Sequence, residues 1–359
     1  MYKRMSERRP RALFERIKVG FARRVGIDVD LLKSATSIKV LNPGETLSGS
    51  PCIALPEQYE RITACAFGID PAQEIAQLKG APRRIGPTTQ YVLDNVVVND
   101  GIIYGRGRYK FFNNNVAFQS DETTCVKYEQ AALRSSFVGC HFFGHWLRDD
   151  CATHLLASDF GTPVSMPTPP WPDRAGYLEQ FGQQCVELRR AHIDRLFLFD
   201  DINQTTHKAG RFRTLRARLA NNQSPGRTGH IVYLMRGSGG TQRQILNEEE
   251  IINALTRRGV TVVKAETSNV SQLVSELLGA RIIISVEGSQ LSHALYTLHD
   301  NGAVLVIQPP DRFFNSHFDW ARALGMQYSV VVGKKRDQGF FLPVDDLLRT
   351  IDLLDGRIQ

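Results

Sequence analysis

Residues 281–310 begin Arg-Ile-Ile-Ile-Ser-Val-Glu-Gly-Ser-Gln-Leu-Ser-His-Ala-Leu-Tyr and end in Ala-Val-Leu-Val-Ile-Gln-Pro-Pro. The run Ile282 to Ile284 is too short for a helix and is β-branched throughout, which is typical of a strand buried on both faces of a parallel sheet. Gln290 to Leu298 has helical spacing, and Ala303 to Ile307 has the pattern of a second buried strand. The stretch therefore predicts one strand–helix–strand unit, with a turn at Glu287-Gly288-Ser289.

The Gly-Ser turn after the first of these strands lies at the carboxyl edge of the predicted sheet. At this edge the amino terminus of the next helix presents unpaired N–H groups and a partial positive charge, both of which suit a phosphate. A single turn of this kind is equally well explained as a tight turn that caps a helix. The other strand ends of the same sheet decide between the two interpretations.

Strands and helices alternate through the whole carboxyl-terminal part of the chain. This part follows the turn-forming segment 221–226, Asn-Asn-Gln-Ser-Pro-Gly, which has no apolar residue and predicts a linker. The further strands are predicted at 230–235, 260–264 and 328–332, and the helices at 247–257, 270–278, 316–324 and 344–354. Such alternation predicts an α/β fold with a doubly wound parallel sheet.

The first part of the chain has shorter and less regular patterns. Two apolar triplets, 96–98 and 102–104, flank a turn at Asn99-Asp100-Gly101 and predict a β-hairpin. Prolines interrupt residues 26–85, so that no strand can be placed there. Further elements are predicted as a strand at 136–139, a helix at 145–158, a strand at 195–199 and a basic helix at 208–220.

Length and composition restrict the class of protein. The 359 residues suit two domains and an extension, and 42% hydrophobic with 23% charged residues is ordinary for a globular chain. No apolar run approaches the roughly 20 residues that cross a bilayer, and the amino terminus lacks the apolar core of a secretory signal. Six cysteines without a CxxC pair favour thiols in a reducing compartment. We therefore expect a cytoplasmic protein.

The amino-terminal tail carries the excess positive charge. Residues 1–24 contain nine basic and two acidic side chains, which accounts for the whole net charge of +7. The charge therefore does not predict a nucleic-acid-binding domain. Residues 11–25 predict a basic amphipathic helix with an apolar face, which suits an anionic membrane surface. The alternative is a helix that packs against its own protein.

Polar residues follow three predicted strands of the carboxyl-terminal part at the point where each strand ends. They are Arg236, Gly237, Ser238, Gly239, Gly240 and Arg243 after the first strand, Glu266, Thr267 and Ser268 after the second, and Glu287, Gly288, Ser289 and Gln290 after the third. The carboxyl ends of parallel strands meet at one crevice. Because guanidinium groups form charge-assisted bonds to phosphate oxygens, these residues predict a diphosphate site.

The first part of the chain contains a compact group of acid–base side chains, His141, His145, Asp149 and Asp150. His145 and Asp149 are four residues apart and share a face of the predicted helix. The pair can hold a general base with a fixed tautomer, it can supply two ligands of a metal site, or it can be structural. The chain has no Gly-x-Ser-x-Gly, HExxH or CxxC motif, so hydrolase, zincin and dithiol chemistry have no support.

Taken together, these blocks resemble glycosyltransferase family 61, which includes bacterial capsular polysaccharide transferases and eukaryotic xylosyl- and N-acetylglucosaminyltransferases. The resemblance covers about residues 135–310, and four separated blocks in the right order carry it. These are His145-Trp146 with Asp149, then Arg236 and Arg243 before Asn247-Glu248, then Glu266, Ser268 and Gln272, and finally Gly288-Ser289 with Leu291.

The resemblance implies a GT-B-like pair of Rossmann-type domains that face a cleft. The tail would be 1–25, the acceptor-side α/β domain with its β-hairpin lead-in 26–220, and the nucleotide-sugar-binding domain 227–359. It implies an inverting glycosyltransferase that uses a nucleotide-sugar donor. Because no predicted strand ends in the Asp-x-Asp pair with which GT-A enzymes hold a metal, we expect arginines and helix dipoles to balance the diphosphate charge without an obligatory metal or other cofactor. The acceptor would be a capsular, lipopolysaccharide-type or lipid-linked glycan at a membrane surface.

The resemblance also implies roles for particular residues. Asp149 or His145 would be the base that takes the proton of the acceptor hydroxyl. Arg236, Arg243 and the amides of Gly288-Ser289 would stabilise the leaving diphosphate, with the donor also bound by Asn247, Glu266 and Glu287.

One position departs from the family pattern. Where many relatives have His-Gly-Ala-Gly-Leu, this chain has Glu287-Gly288-Ser289-Gln290-Leu291. Since a carboxylate repels a diphosphate, we expect Glu287 to bind hydroxyls of the ribose or the sugar. The departure keeps open a non-catalytic protein that binds nucleotide sugars or serves as a scaffold. A sugar-nucleotide epimerase or dehydrogenase lacks support, because no Gly-x-Gly-x-x-Gly follows the first strand of either half.

Overall fold

The computed structural model describes residues 2–5, 10–47, 50–113, 125–237, 243–267 and 269–358. Within these ranges, the strands in chain order are β1 (Tyr2–Met5), β2 (Ser37–Asn42), β3 (Glu45–Leu47), β4 (Arg83–Ile85), β5 (Thr88–Asn99), β6 (Ile102–Gly105), β7 (Arg108–Phe111), β8 (Cys125–Leu133), β9 (Thr162–Ser165), β10 (Val186–Glu187), β11 (Arg190–Asp200), β12 (Ile231–Met235), β13 (Thr261–Lys264), β14 (Ala280–Val286), β15 (Leu298–Gln308), β16 (Gln327–Val332), β17 (Lys334–Arg336) and β18 (Gly339–Phe341).

The helices in the same ranges are α1 (Pro10–Arg24), α2 (Pro71–Leu78), α3 (Phe143–His145), α4 (Cys151–Ser158), α5 (Arg174–Gln180), α6 (Thr206–Asn222), α7 (Glu248–Arg257), α8 (Val270–Leu277), α9 (Ala294–Thr297), α10 (Phe318–Leu324) and α11 (Val344–Asp355). A π-helical turn, Trp146–Asp150, joins α3 to α4. In this part of the chain no helix has the length and apolarity that a membrane span requires.

The chain forms two compact units. The N-terminal unit comprises residues 1–44 and 86–203, and the C-terminal unit comprises 45–85 and 204–359. The predicted ranges 26–220 and 227–359 differ from these units in two places, since the C-terminal unit takes both the segment 45–85 and helix α6. The α/β class is confirmed by the alternation of helices with parallel strands.

Direct contacts explain why the C-terminal unit takes these two segments. Ile53 forms a parallel bridge with Ser329 at the edge of the C-terminal sheet. The guanidinium of Arg61 lies 2.7 Å from the carboxylate of Asp346. In helix α6, Arg216 donates to the backbone carbonyls of Leu295, at 2.7 Å, and of Leu298. The segment 45–85 and helix α6 thus belong to the C-terminal unit.

The sheet of the N-terminal unit mixes parallel and antiparallel pairs. Its order is β10-β9-β8-β11-β5-β6-β7, and β1 and β2 pair with β8 and β5. Strands β8, β9, β10 and β11 pair in parallel, whereas β5 pairs with β11 and β6 in antiparallel fashion. The predicted hairpin is confirmed, with Val98 opposite Ile103. Its turn residues Asp100 and Gly101 have φ of 42° and 81°, as a two-residue hairpin turn requires.

The predicted strand at 136–139 is wrong, because side chains of this segment bind the backbone in place of a sheet partner. Ser136 Oγ accepts a hydrogen bond from the N–H of Gly139, at 2.9 Å. The carboxylate of Asp150 accepts from both the N–H and the hydroxyl of Ser136, at 2.9 and 2.8 Å. These bonds fold the segment into turns that lead into helix α3.

Helix α1 confirms the predicted amino-terminal helix and packs against its own unit on one side. Val19 and Ala22 are buried, whereas Phe14, Ile17 and Phe21 are 57%, 61% and 66% exposed. Most of the predicted apolar face is therefore open, although the helix is docked.

The sheet of the C-terminal unit is parallel, as predicted, with the order β13-β12-β14-β15-β16. Strand β14 pairs with β12 and β15, and its residues Ile282, Ile283 and Ile284 are fully buried. Numbered from the linker onward, this order is 2-1-3-4-5, one of the two common orders of doubly wound sheets. The unit is consistent with a Rossmann-like fold.

The helix predicted from Gln290 to Leu298 is shorter and tighter than the apolar spacing indicates. It starts as a 3₁₀ helix, Ser289–His293, and continues as α9 for four residues. Strand β15 then begins at Leu298. Asn301 and Gly302 lie in a bulge of that strand, where the register against β14 shifts and Asn301 has a φ of 66°.

Candidate functional site

Two groups of side chains, one in each unit, contain the residues singled out from the sequence. In the C-terminal unit, the group lies where strand order reverses, between the carboxyl ends of β12 and β14. Arg236 follows β12 and Glu287 follows β14. In open α/β sheets this point is where ligands bind, because the loops on either side of it diverge and leave a crevice.

Arg236 and Arg243 converge on the backbone of the turn after β14. Arg236 Nη1 donates to the carbonyl of Glu287 at 3.1 Å and to Oε1 of Gln290 at 3.1 Å. Arg243 Nη1 donates to the same carbonyl of Glu287. The structure thus brings together two arginines that are separated from Glu287 by 51 and 44 residues, as the sheet-edge argument predicted.

Glu287 is buried among these arginines. Only 2% of the residue is exposed, and its Oε2 lies 2.8 Å from Nη2 of Arg243 and 3.9 Å from Nη1 of Arg312. Its Oε1 accepts from the hydroxyl of Ser316 at 3.5 Å. Burial raises the pKa of the Glu287 carboxyl, and the guanidinium groups oppose that rise. Three guanidinium charges and one carboxylate leave the group positive.

Gly288 allows the arginines to approach the turn. Its backbone has a φ of 155° and a ψ of 179°, a region open to glycine. A Cβ at this position would lie 1.9 Å from Nη1 of Arg236 and 2.9 Å from Nη1 of Arg243. Any side chain would therefore displace the guanidinium groups. The sequence argument singled out Gly288 for its helix-start amides, and the close approach of the two arginines is a further reason for glycine here.

His317 and Trp320 hold the carbonyl of Gly288. The indole N–H of Trp320 donates to Nδ1 of His317 at 3.1 Å, so Nδ1 carries the lone pair. The proton of the neutral ring is then on Nε2, which donates to the carbonyl oxygen of Gly288 at 3.1 Å. Both side chains are buried. The contact of His317 with the Gly288 carbonyl was not predicted from the sequence. The only available signal was that residues 317–320 follow the end of a predicted strand.

Arg312 is a third cation of the group that sequence reasoning missed. It follows β15, the strand next to β14, and its side chain is 30% exposed. Its buried Nη1 has no hydrogen-bond partner among the described residues. The rule that brought Arg236 and Arg243 to the edge applies equally to Arg312, since it too lies just past the carboxyl end of a buried parallel strand.

Other residues predicted for this edge have different surroundings. The carboxamide of Asn247 donates to the carbonyl of Leu342 at 2.9 Å and accepts from its N–H at 3.0 Å. Glu266 is exposed, and its carboxylate lies over Gly237, where a Cβ would meet it at 2.0 Å. Ser238, Gly239, Gly240 and Ser268 lie outside the described residues. The roles predicted for Asn247, Glu266 and Ser289 in donor binding stay predictions.

In the N-terminal unit, His145 and Asp149 form the pair that their spacing predicts. Nδ1 of His145 lies 2.9 Å from Oδ2 of Asp149. Asp149 is 1% exposed, whereas the side chain of His145 is 23% exposed. The segment after His145 is a π-helical turn, a rare geometry that occurs often at functional sites. Because Nδ1 faces Asp149, Nε2 lies on the opposite edge of the ring.

Arg148 is a third member of this group that sequence reasoning missed. Its Nη2 lies 2.8 Å from Oδ2 of Asp149 and 2.8 Å from Nδ1 of His145, and its Nε donates to the same carboxylate at 3.1 Å. The carboxylate is thus held by a guanidinium and an imidazole together. The signal was available in the sequence, since Arg148 is three residues after His145 on the same helical segment.

Asp150, adjacent to the pair, is fully buried and is held by Ser136. Burial raises the pKa of the Asp150 carboxyl to about 7, against the opposing effects of its bonds to Ser136 and of the charge of Arg134. Among the described residues, no cluster of three His, Cys, Asp or Glu side chains has the arrangement of a metal site. The prediction that no metal is required stays a prediction.

The fold and the cationic edge define an α/β protein with a group of arginines at the switch point of a parallel sheet. The family model described as Glycosyltransferase 61 matches residues 143–306, which contain both groups except His141, Arg312, Ser316, His317 and Trp320. The resemblance to that family is therefore confirmed over the matched residues. The bacterial capsular type stays a prediction.

Comparison with other known proteins adds little. No curated protein matches the sequence. Two solved mutant forms of a flavo di-iron protein from Thermotoga maritima are similar, each at 10% identity. The first comparison covers 82% of this chain and 72% of the other, with a TM-score of 0.28, and the second covers 77% and 66%, with a TM-score of 0.26. Such scores carry no inference about this chain.

Proposed function

We propose that the protein is an inverting glycosyltransferase that moves a sugar from a nucleotide-sugar donor to a surface polysaccharide of the capsular or lipopolysaccharide type, or to a lipid-linked glycan. The observation that carries the proposal is the group of Arg236, Arg243 and Arg312 around Glu287, at the switch point of a parallel sheet and largely inside a segment that matches a glycosyltransferase family.

The leaving group of such a reaction is a nucleoside diphosphate, which gains negative charge as the glycosidic bond breaks. Partly buried guanidinium groups stabilise that charge better than groups in bulk water do. Burial lowers the pKa of Arg243 to about 10, so that it stays protonated at neutral pH. We expect the diphosphate to accept hydrogen bonds from Arg236 and Arg312, while Arg243 remains bonded to Glu287.

Glu287 has a different role in this proposal from the one expected from the sequence. Its side chain is 3% exposed, and its carboxylate forms an ion pair with Arg243 and accepts a hydrogen bond from Ser316, so it is poorly placed to bind sugar hydroxyls. A buried countercharge of this kind holds the guanidinium groups in place before the ligand binds. It also balances one of their three positive charges and so reduces their mutual repulsion.

The base of the proposed reaction is His145. Nδ1 of His145 lies between an acceptor, Oδ2 of Asp149 at 2.9 Å, and a donor, Nη2 of Arg148 at 2.8 Å. We assign the proton to Nδ1, which then donates to Asp149, because this tautomer leaves a lone pair on Nε2 for the acceptor hydroxyl, and Arg148 then donates to the carboxylate alone. Asp149 is buried and bonded to Arg148, so it orients the ring and stabilises the imidazolium that forms when the hydroxyl proton is taken. The acceptor oxygen attacks the anomeric carbon as the diphosphate leaves from the opposite face.

The proposal includes a GT-B-like arrangement, in which the two units face a cleft with the acceptor on the N-terminal side. It also includes a peripheral location at the cytoplasmic face of a membrane through residues 1–25. The exposed rings of Phe14 and Phe21 and the basic residues of α1 support that location, because apolar and cationic groups together suit an anionic lipid surface.

The test is to measure binding and transfer in the same variants. Calorimetry should show that the wild-type protein binds a nucleoside diphosphate. Arg236→Ala or Arg312→Ala should lower the affinity about 10- to 150-fold, since a charge-assisted hydrogen bond contributes about 1.5–3 kcal/mol. Arg258→Ala, at an exposed pair on the surface, is the matched control. Unchanged affinity in both site variants would place the phosphates elsewhere.

The second candidate is a non-catalytic protein that binds nucleotide sugars. The bond between Glu287 and Arg243 favours it, because a carboxylate occupies part of the cationic site. The two candidates differ in turnover. A protein that binds nucleoside diphosphate but neither hydrolyses nor transfers the sugar of any nucleotide sugar, with glycan acceptors present, would be the binding protein.

A further inference from the structure

Phe67 is an exposed aromatic residue with an unfavourable backbone conformation. The residue is 74% exposed, and its φ of 59° and ψ of 21° lie in the left-handed region. Bulky residues rarely adopt this region, and when they do the cost is of the kind that structures retain at functional sites. Packing does not explain the residue, since so little of its ring is buried.

The turn that carries Phe67 is fixed from both sides by backbone hydrogen bonds to the loop after β15. The N–H of Ala66 donates to the carbonyl of Phe313 at 2.9 Å, and the N–H of Phe313 donates to Ala64 at 3.0 Å. The N–H of Thr63 donates to the carbonyl of Pro310 at 2.8 Å. The ring is therefore presented on a rigid support, so that little order has to be gained when a ligand binds.

The same loop joins Phe67 to the arginine group. The guanidinium carbon of Arg312 lies 5.8 Å from the centroid of the Phe67 ring, and Nη1 of Arg312 lies 3.9 Å from Oε2 of Glu287. The rings of Phe314 and Phe67 form a T-shaped contact, with centroids 5.2 Å apart and an angle of 70° between the ring planes. Gln308, at the end of β15, holds Phe314 by accepting from its N–H and donating to its carbonyl.

We infer that Phe67 is the stacking platform for the nucleobase of the donor. The inference rests on the proposed function and adds to it the position of the base. An open aromatic ring beside a cationic group fits a ligand that has a flat ring at one end and phosphates at the other, which is a nucleotide. An acceptor glycan without phosphate would use the ring but not Arg312.

The experiment is calorimetric titration with UDP, GDP, ADP, CDP and inorganic pyrophosphate. For the nucleoside diphosphate that binds most tightly, Phe67→Ala should weaken binding about 5- to 150-fold, the range for a lost base–aromatic stack. Its affinity for pyrophosphate should stay unchanged, because pyrophosphate has no base. Phe67→Trp should retain the affinity for the nucleotide.

A second variant separates stacking from folding. Asn tolerates the left-handed region, so Phe67→Asn should raise the thermal unfolding midpoint and still weaken nucleotide binding as much as Phe67→Ala does. Leu353→Ala, another exposed apolar residue of the same unit, is the control and should leave binding unchanged.

Three outcomes would overturn the inference. If Phe67→Ala binds the nucleotide as wild type does while Arg236→Ala weakens it, Phe67 is not the platform and the proposed function stands. If Phe67→Ala weakens pyrophosphate as much as nucleotide, the residue acts by supporting Arg312 and not by stacking. If the wild-type protein binds none of these probes, the proposed function fails and the platform fails with it.

Discussion

Gly288→Ala tests the geometry of the cationic site with a single methyl group. The new Cβ would lie 1.9 Å from Nη1 of Arg236 and 2.6 Å from Oε1 of Gln290. The guanidinium would have to move by roughly 1.5–2 Å to reach ordinary contact distance. That movement breaks its bonds to Glu287 and Gln290, because both are already 3.1 Å long.

The expected loss follows from these contacts. One displaced guanidinium removes a charge-assisted phosphate contact of about 1.5–3 kcal/mol, which weakens nucleoside diphosphate binding about 10- to 150-fold. The backbone at φ 155° and ψ 179° adds a cost in folding free energy of about 1–3 kcal/mol. The variant should still fold, because the clashing atoms are the ends of flexible side chains.

Calorimetry gives the affinity and thermal unfolding gives the stability. Gly325→Ala is the control, because Gly325 ends helix α10 with a φ of 78° and an added Cβ would meet nothing within 4 Å. It should lower the stability by about 1 kcal/mol and leave the affinity unchanged. A Gly288→Ala protein that is folded and binds nucleoside diphosphate like wild type would refute the arrangement of arginines described above.

Three further predictions concern the N-terminal unit. His145→Ala should slow transfer about 100- to 10,000-fold without weakening nucleoside diphosphate binding. The control is His141→Ala, at a neighbouring histidine, which should change the rate by no more than a few fold. Transfer at the wild-type rate by His145→Ala would exclude His145 as the base. Phe21→Ser should reduce co-sedimentation with anionic vesicles and keep the unfolding midpoint, and equal sedimentation would assign α1 a purely intramolecular role. The pKa of the Asp150 carboxyl is about 7 in the folded protein, against an ordinary value of 3.8, so ionisation lowers the stability of wild type as the pH rises from about 4 to about 7. Across that window, the unfolding free energy of Asp150→Asn should increase relative to that of wild type, by on the order of 4 kcal/mol at most. A difference that does not change with pH would contradict the raised pKa.

Much of the C-terminal sheet is predictable from local patterns. The apolar runs 282–284 in β14 and 303–307 in β15 are fully buried, as unbroken runs of this kind indicate. The convergence of Arg236 and Arg243 on Glu287 follows once the strands are parallel, since their carboxyl ends share an edge. The order of the strands in the sheet, by contrast, cannot be predicted from local patterns. It depends on which faces of the sheet the connecting helices cover, and the periodicity within a strand carries no information about those faces.

The parts of the site that the sequence did not predict depend on contacts between distant segments. Phe67 meets Arg312 only because residues 64–66 pair with Phe313, and neither segment has a periodic pattern that indicates the other. Arg148 was hidden for another reason. Its i, i+3 spacing indicates a contact with His145, but Arg148 and Asp149 are adjacent in the sequence, and adjacent residues do not face each other on a regular helix. In the π-helical turn, Arg148 nevertheless reaches both Asp149 and His145.

The path of the chain through 45–85 has a consequence for biosynthesis. This segment is synthesised early, but the backbone carbonyl of Ile53 accepts a hydrogen bond from the hydroxyl of Ser329, which is 276 residues later in the chain. At about 5–20 residues per second, the ribosome needs roughly 15–55 s to supply that partner. During this interval, Ile53 and Leu55, buried in the finished protein, have no sheet to pack against. The nascent chain is therefore open to chaperones and proteases at this segment until the last strands emerge. A fragment that ends before residue 329 would stay in that condition.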